Sequence, residues 1–180
     1  MSLISQILSP GRATGLRRLV VPLAVIGTLA ALAPFAGAMI QAASQARLHG
    51  PDLALLAAQP LVIKLHIAGA VIALLLGAVL MTLRKGMTFH RAMGWFWVGA
   101  MALVAGSSLF IVGINGDRWS FIHLFSGWTL IALPIAVLAA RRHIVKTHRS
   151  FMMGLFYGGL VINGAIAFIP GRTMWNLFFG

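Results

Sequence analysis

Apolar residues fall in five runs separated by short polar or basic clusters, at about 19–41, 61–83, 92–114, 119–140 and 150–170. Each is long enough to cross a bilayer, which takes roughly 20 mostly apolar residues. No water reaches a stray backbone group in lipid, so each run predicts a helix. The chain is expected to be an all-α membrane protein with five transmembrane helices. Residues 1–18 form a basic lead, 19–41 an anchor helix, 42–60 an outer loop with a short surface helix at Asp52–Ala58, and 171–180 a tail. Between them, 61–170 reads as a membrane domain of two repeated hairpins that make helices 2–5 a four-helix bundle.

The first run resembles a secretory signal, with Arg17–Arg18 ahead of it and small residues after it. Its apolar stretch is longer than the roughly 7–15 residues usual in a signal. A retained anchor is therefore expected, with Pro22 and Pro34 tolerated inside it.

The duplication shows in the histidines. His66 is followed by Arg84–Lys85 and His90–Arg91, and His123 by Arg141–Arg142 and His148–Arg149. The first interval is the same in both, 84−66 = 18 and 141−123 = 18. Leu65–His66–Ile67 also matches Ile122–His123–Leu124. Two hairpins inserted in one direction are parallel repeats about an axis along the membrane normal. Helix 2 then faces helix 4 and helix 3 faces helix 5, with His66 and His123 at one depth and His90 and His148 at another.

Composition fits this reading. Hydrophobic residues make up 60% of the chain and charged residues 9%, against about 25% charged in a soluble domain. The net charge of +12 would suggest nucleic acid in a soluble protein. Its distribution argues for a membrane instead. Arg12, Arg17, Arg18, Arg84, Lys85, Arg91, Arg141, Arg142, Lys146 and Arg149 fall on one side of a five-helix topology. Arg47, Lys64, Arg118 and Arg172 fall on the other, with both acids, Asp52 and Asp117. That bias predicts a cytoplasmic N-terminus and an outer C-terminus. The lipid bilayer is the expected partner, and nucleic acid is excluded.

An ionisable residue within a membrane helix is costly and usually faces the bundle interior. Two neutral imidazoles meeting across a bundle can supply both axial ligands of a haem iron. Small residues flank these positions: Gly69 and Ala70 after His66, Gly127 after His123, Gly94 after His90. They would leave room for a flat macrocycle. Against this stands a structural role, in which the histidines bond neighbouring helices and the glycines pack them. The outer pair, His66 and His123, is the stronger ligand candidate. His90 and His148 stand beside Arg91 and Arg149, which also serve as topology signals or as partners of propionate carboxylates. His49 and His143 are expected to be solvated in loops. The pair Gly154 and Gly158 fits a close helix contact.

Other chemistries are excluded. Without cysteine there is no thiolate nucleophile, disulfide or thiolate-held cluster. With no glutamate, and both aspartates in outer loops, no membrane-embedded carboxylate is available. Two histidines per level fall short of a zinc site.

From residue 61 onward the chain resembles a bacterial family of multi-pass membrane proteins catalogued as domain of unknown function 2306. The likeness rests on Leu65–His66–Ile67, the His-Arg starts at 90 and 148 with glycine downstream, and His123. It implies a bacterial inner membrane location and brings no activity with it. The four-histidine layout also resembles the di-haem membrane cytochromes of the ascorbate-dependent ferrireductase type. That likeness implies haem b, one or two per chain, held by His66/His123 and His90/His148, with Arg91 and Arg149 near the inner propionates. This chain has five helices rather than six and no recognisable ascorbate-binding segment. A quinone, a redox protein or a metal ion would be the electron partner, and assembly into an oligomer stays open. The alternative is a non-redox accessory subunit or small transporter with structural histidines.

Overall fold

The computed structural model describes residues 36–111 and 122–180. The chain divides into two compact units, Met1–Arg47 and Leu48–Gly180. In the first, α1 covers Ala36–Gln45. It passes the expected anchor end at residue 41, because Gln41 to Gln45 continue the helix into polar sequence. The rest of the anchor and the basic lead lie outside the described residues.

The second unit contains α2 (Leu53–Ala58), α3 (Leu61–Thr82), α4 (Thr88–Ser108), α5 (Ile122–Arg141), α6 (Val145–Ala167) and α7 (Thr173–Phe179). Among the described residues there is no strand. The short helix α2 sits where the sequence placed it, because the Asp52 carboxylate caps it by accepting from the Leu55 N–H at 2.9 Å. Pro60 then opens α3, its carbonyl accepting from Ile63 and Lys64. The tail forms α7 and docks on the loop before α2, through His49 N–H to Phe178 O and Asp52 N–H to Leu177 O.

Among the described residues, three helices are long and apolar enough to cross a membrane: Leu61–Thr82, His123–Arg141 and Val145–Ala167. Exposed apolar side chains such as Leu75, Phe96, Ile131 and Ile162 cover the outer faces, as lipid contact requires. The helix α4 has similar length but starts with Thr88, His90 and Arg91 and ends with Ser107 and Ser108. Several boundaries differ from expectation: α4 ends at Ser108 rather than 114, and α6 at Ala167 rather than 170. Helix begins at Thr88 rather than 92, and at Val145 rather than 150. Charge had marked these residues as loop, yet long basic side chains at a helix end reach water while their backbone stays helical. The end of the third run beyond residue 111, and the turn Asn115–Arg118, lie outside the described residues.

The helices pack in a ring: α3 on α4, α4 on α5, α5 on α6, and α6 back on α3. Sequential neighbours touch, so α3 lies diagonal to α5 and α4 to α6. Inside the ring, Ala73, Trp97, Met101, Ala132, Leu133, Leu155, Phe156 and Leu160 form one buried apolar cluster. Close approach depends on Gly77, where a Cβ would come within 2.5 Å of the Phe156 ring and 2.8 Å of Trp97 Nε1. Trp97 Nε1–H donates to Ala73 O at 2.9 Å. The segment Leu155–Ile162 of α6 is π-helical. Asn163 Nδ2 donates to Gly158 O and Gly159 O, both at 3.2 Å, satisfying carbonyls in that widened stretch.

The pair Gly154 and Gly158 does not make the expected close contact. A Cβ at either position would meet nothing within 4 Å. Gly69 and Gly77 bring α3 against its neighbours instead.

Candidate functional site

The bundle has polar groups near both ends and the apolar cluster between them. One end carries the turns 83–87 and 142–144 with their basic residues and is called the basic end here.

From the basic end, α4 directs one stripe inward, His90, Gly94, Trp97 and Met101, which one further pair of turns carries on to Ser108 at the other end. Spacings of three and four keep these residues on one face, and Trp97, Met101 and Ser108 are buried. The Nδ1 atom of His90 is buried and has no hydrogen-bond partner among the described residues. One turn along, a Cβ on Gly94 would meet nothing within 4 Å. His148, on the first turn of α6, places Nδ1 at 3.0 Å from Ala136 O on α5. A carbonyl can only accept, so the proton sits on Nδ1 and Nε2 keeps its lone pair. His90 precedes the apolar run that starts at Ala92. Burial lowers its pKa first, then the positive charge of His148 when that ring is protonated and that of Lys85. The two basic-end histidines are therefore within electrostatic reach of each other, and His90 is biased toward its neutral form.

At the opposite end, His66 Nδ1 lies 3.0 Å from Val104 O and 3.1 Å from Ser107 Oγ. The Ser107 hydroxyl donates to Leu103 O at 2.6 Å, so its oxygen remains an acceptor for His66. Again Nδ1 carries the proton and Nε2 is left as donor of a lone pair. Ser108 Oγ pairs with Ser126 Oγ at 2.5 Å, tying α4 to α5. His123, Ser126 and Thr129 of α5 are buried, as are Ser107 and Ser108 of α4. His66 is thus bonded to α4 at Val104 and Ser107, and His123 stands one turn before Ser126 on α5, whose hydroxyl pairs with Ser108 of α4.

The expected room around His66 is partly taken. A Cβ on Gly69 would stand 3.1 Å from Val104 and 3.3 Å from Leu103, so this glycine closes the α3–α4 contact. Beside His123 the space at Gly127 stays open. Arg91 and Arg149 are exposed and follow inward histidines by one residue, about 100° round the helix. They frame the mouth of the basic end and do not enter it.

The tryptophans and the remaining histidines divide by exposure. Trp97 fills the bundle, whereas Trp95 and Trp128 are more than half exposed. Trp119 lies outside the described residues. His143 is exposed in a turn, but His49 is not simply solvated: its ring bonds Gly50 O at 2.6 Å and Gly180 O at 3.1 Å. Sequence reasoning missed Ser107, Ser108, Ser126 and Thr129. The adjacent serines in an otherwise apolar run were the available signal. Among the described residues, no three His, Cys, Asp or Glu side chains come together.

Comparison with known protein families, curated proteins and solved structures finds no match. The functional reading therefore rests on the site's own geometry.

Proposed function

We propose that this chain is a multi-pass protein of the bacterial inner membrane that holds b-type haem and carries electrons across the bilayer. The observation that carries the reading is the basic-end pair. His148 has its Nδ1–H fixed on Ala136 O, and beside it His90 presents a buried, unsatisfied ring nitrogen next to open space at Gly94. A ring nitrogen held this way by a carbonyl is the usual support of a metal-ligating histidine. These residues fit the group, and they fit it better at the basic end than at the other.

His90 and His148 would hold one haem, with Arg91 and Arg149 near its propionates, and His66 and His123 would hold a second. Haem, when bound, supplies the one-electron chemistry. The chain's own residues orient imidazoles and keep water out. The Trp97–Met101–Phe156 layer does this between the two ends. The five-helix topology, with a cytoplasmic N-terminus and outer C-terminus, belongs to the same reading. The repeat gains support from the turns. Gly86 (φ 82°) and His143 (φ 58°) are the positive-φ residues of the two basic-end turns, and each stands 20 residues beyond its histidine, 86−66 and 143−123.

One observation favours a second reading for His66. Its bonds to Val104 and Ser107, with Gly69 packed tight, suit a purely structural histidine. Extended to all four positions, that makes the protein a non-redox accessory subunit or small transporter. Oxidised and dithionite-reduced spectra of the purified protein, with pyridine-haemochrome quantification, separate the readings. Two haems per chain support both pairs, and one haem lost in H90A and H148A supports the basic-end pair alone. No haem after expression with ample haem supply overturns the proposal.

A further inference from the structure

The surface of α4 that faces away from the bundle carries a feature that the histidines do not explain. At the last turn of α5, the Arg141 guanidinium carbon lies 5.6 Å from the centroid of the Trp95 ring. Trp95 is 54% exposed, and an open groove of about 410 Å³ runs from it along Phe96, Gly99 and Ala100. A Cβ on Gly99 would meet nothing within 4 Å, so the notch is real space. We propose that Arg141, Trp95 and this notch form a binding site for one anionic phospholipid. The proposal does not depend on haem.

The chemistry divides along the groove. The cation–π contact of Arg141 with Trp95 steadies the guanidinium and leaves its N–H groups for a phosphate, which it matches in a bidentate way. A tryptophan with one wet and one apolar edge belongs at headgroup depth. The wall beyond it is apolar and open to one side, as an acyl chain requires. The headgroup should be net anionic because, among the described residues, no acidic side chain neutralises the basic ones. The sequence has two acids: Asp52 caps α2 ahead of α3, at the end away from Arg141, and Asp117 lies outside the described residues. Arg84, Lys85, Arg91, Arg142, Lys146 and Arg149 share the end with Arg141, so a zwitterionic headgroup gains less.

Native mass spectrometry of the full chain in detergent, with equimolar phosphatidylglycerol and phosphatidylcholine, tests this. Phosphatidylglycerol should be retained preferentially. R141Q should reduce its bound fraction roughly tenfold, the loss of one charge-assisted contact. R142Q removes the same charge away from Trp95 and should stay near wild type. G99L fills the notch without touching the bundle and should weaken retention of both lipids. If R141Q fails to fold, R141K, which keeps charge and loses the fork, and G99L decide. Equal losses in R141Q and R142Q, equal retention of the two lipids, or displacement by inorganic phosphate would each overturn the site.

Discussion

Nδ1 of His148 donates a 3.0 Å hydrogen bond to the carbonyl of Ala136, on the preceding helix of the bundle. His66 makes the same kind of bond to Val104 on the following helix, also at 3.0 Å. Histidines near opposite ends of the bundle are thus held in one tautomer by a neighbouring helix backbone, each with Nε2 left over.

Removing His148 and removing His90 should have different effects on stability. H148A gives up a hydrogen bond worth about 1 kcal/mol. H90A removes a buried nitrogen that had no partner, so its melting temperature should match or exceed wild type. Both should lose basic-end haem. Thermal melts followed by size exclusion, with haem-to-protein ratios on the same samples, check this. Stable H90A with undiminished haem would remove His90 as a ligand.

His66 is tied to α4 in a way that predicts a larger structural cost. H66A loses its bonds to Val104 and Ser107 and opens space, for about 1–3 kcal/mol. S107A leaves His66 its bond to Val104 and should cost about 1 kcal/mol or less. Urea or thermal denaturation in detergent distinguishes them, and equal effects would contradict the geometry.

The glycines differ by position. G77A forces a Cβ against Phe156 and Trp97 and should destabilise by about 1–3 kcal/mol. G127A meets nothing within 4 Å and should be neutral or stabilising by up to about 1 kcal/mol, from helix propensity. Comparing their melting temperatures tests the packing directly.

The two basic-end turns give opposite predictions. His143 occupies the left-handed region at φ 58°, costing about 1 kcal/mol. H143G should recover part of that, while G86A, at φ 82°, should lose a similar amount. Changes of similar size and opposite sign would support the proposed duplication, and indifference at both would weaken it.

The pKa of His90 lies below its ordinary 6.5. As pH falls through 6.5 the unfolded chain takes up a proton that the folded one resists. Stability is therefore full above that value and declines below it, until the folded imidazole also protonates. The melting temperature should fall between about pH 7.5 and pH 5.5, and less steeply in H90Q. Parallel curves for the two proteins would argue against a neutral His90.

Much of this protein was legible along the chain. Runs of apolar residues set where α3, α4, α5 and α6 lie, because lipid leaves the backbone only helical solutions. Asp52 and Pro60 set the edges of α2 and α3 by local hydrogen bonding alone. The spacing of His90 and Gly94 already put them on one helical face. What the chain did not reveal was which neighbour each stripe would meet. Gly77 became the close contact and Gly154 did not, since a glycine matters only where another helix arrives. His66 met Val104 and Ser107, Ser108 met Ser126, and Arg141 met Trp95 across separations of 18 residues or more. Sequence determined the helices and the face each histidine occupies, because those follow from bonds within one segment. Tertiary packing decided depth, partner and open space, because these depend on how far one helix slides past the next.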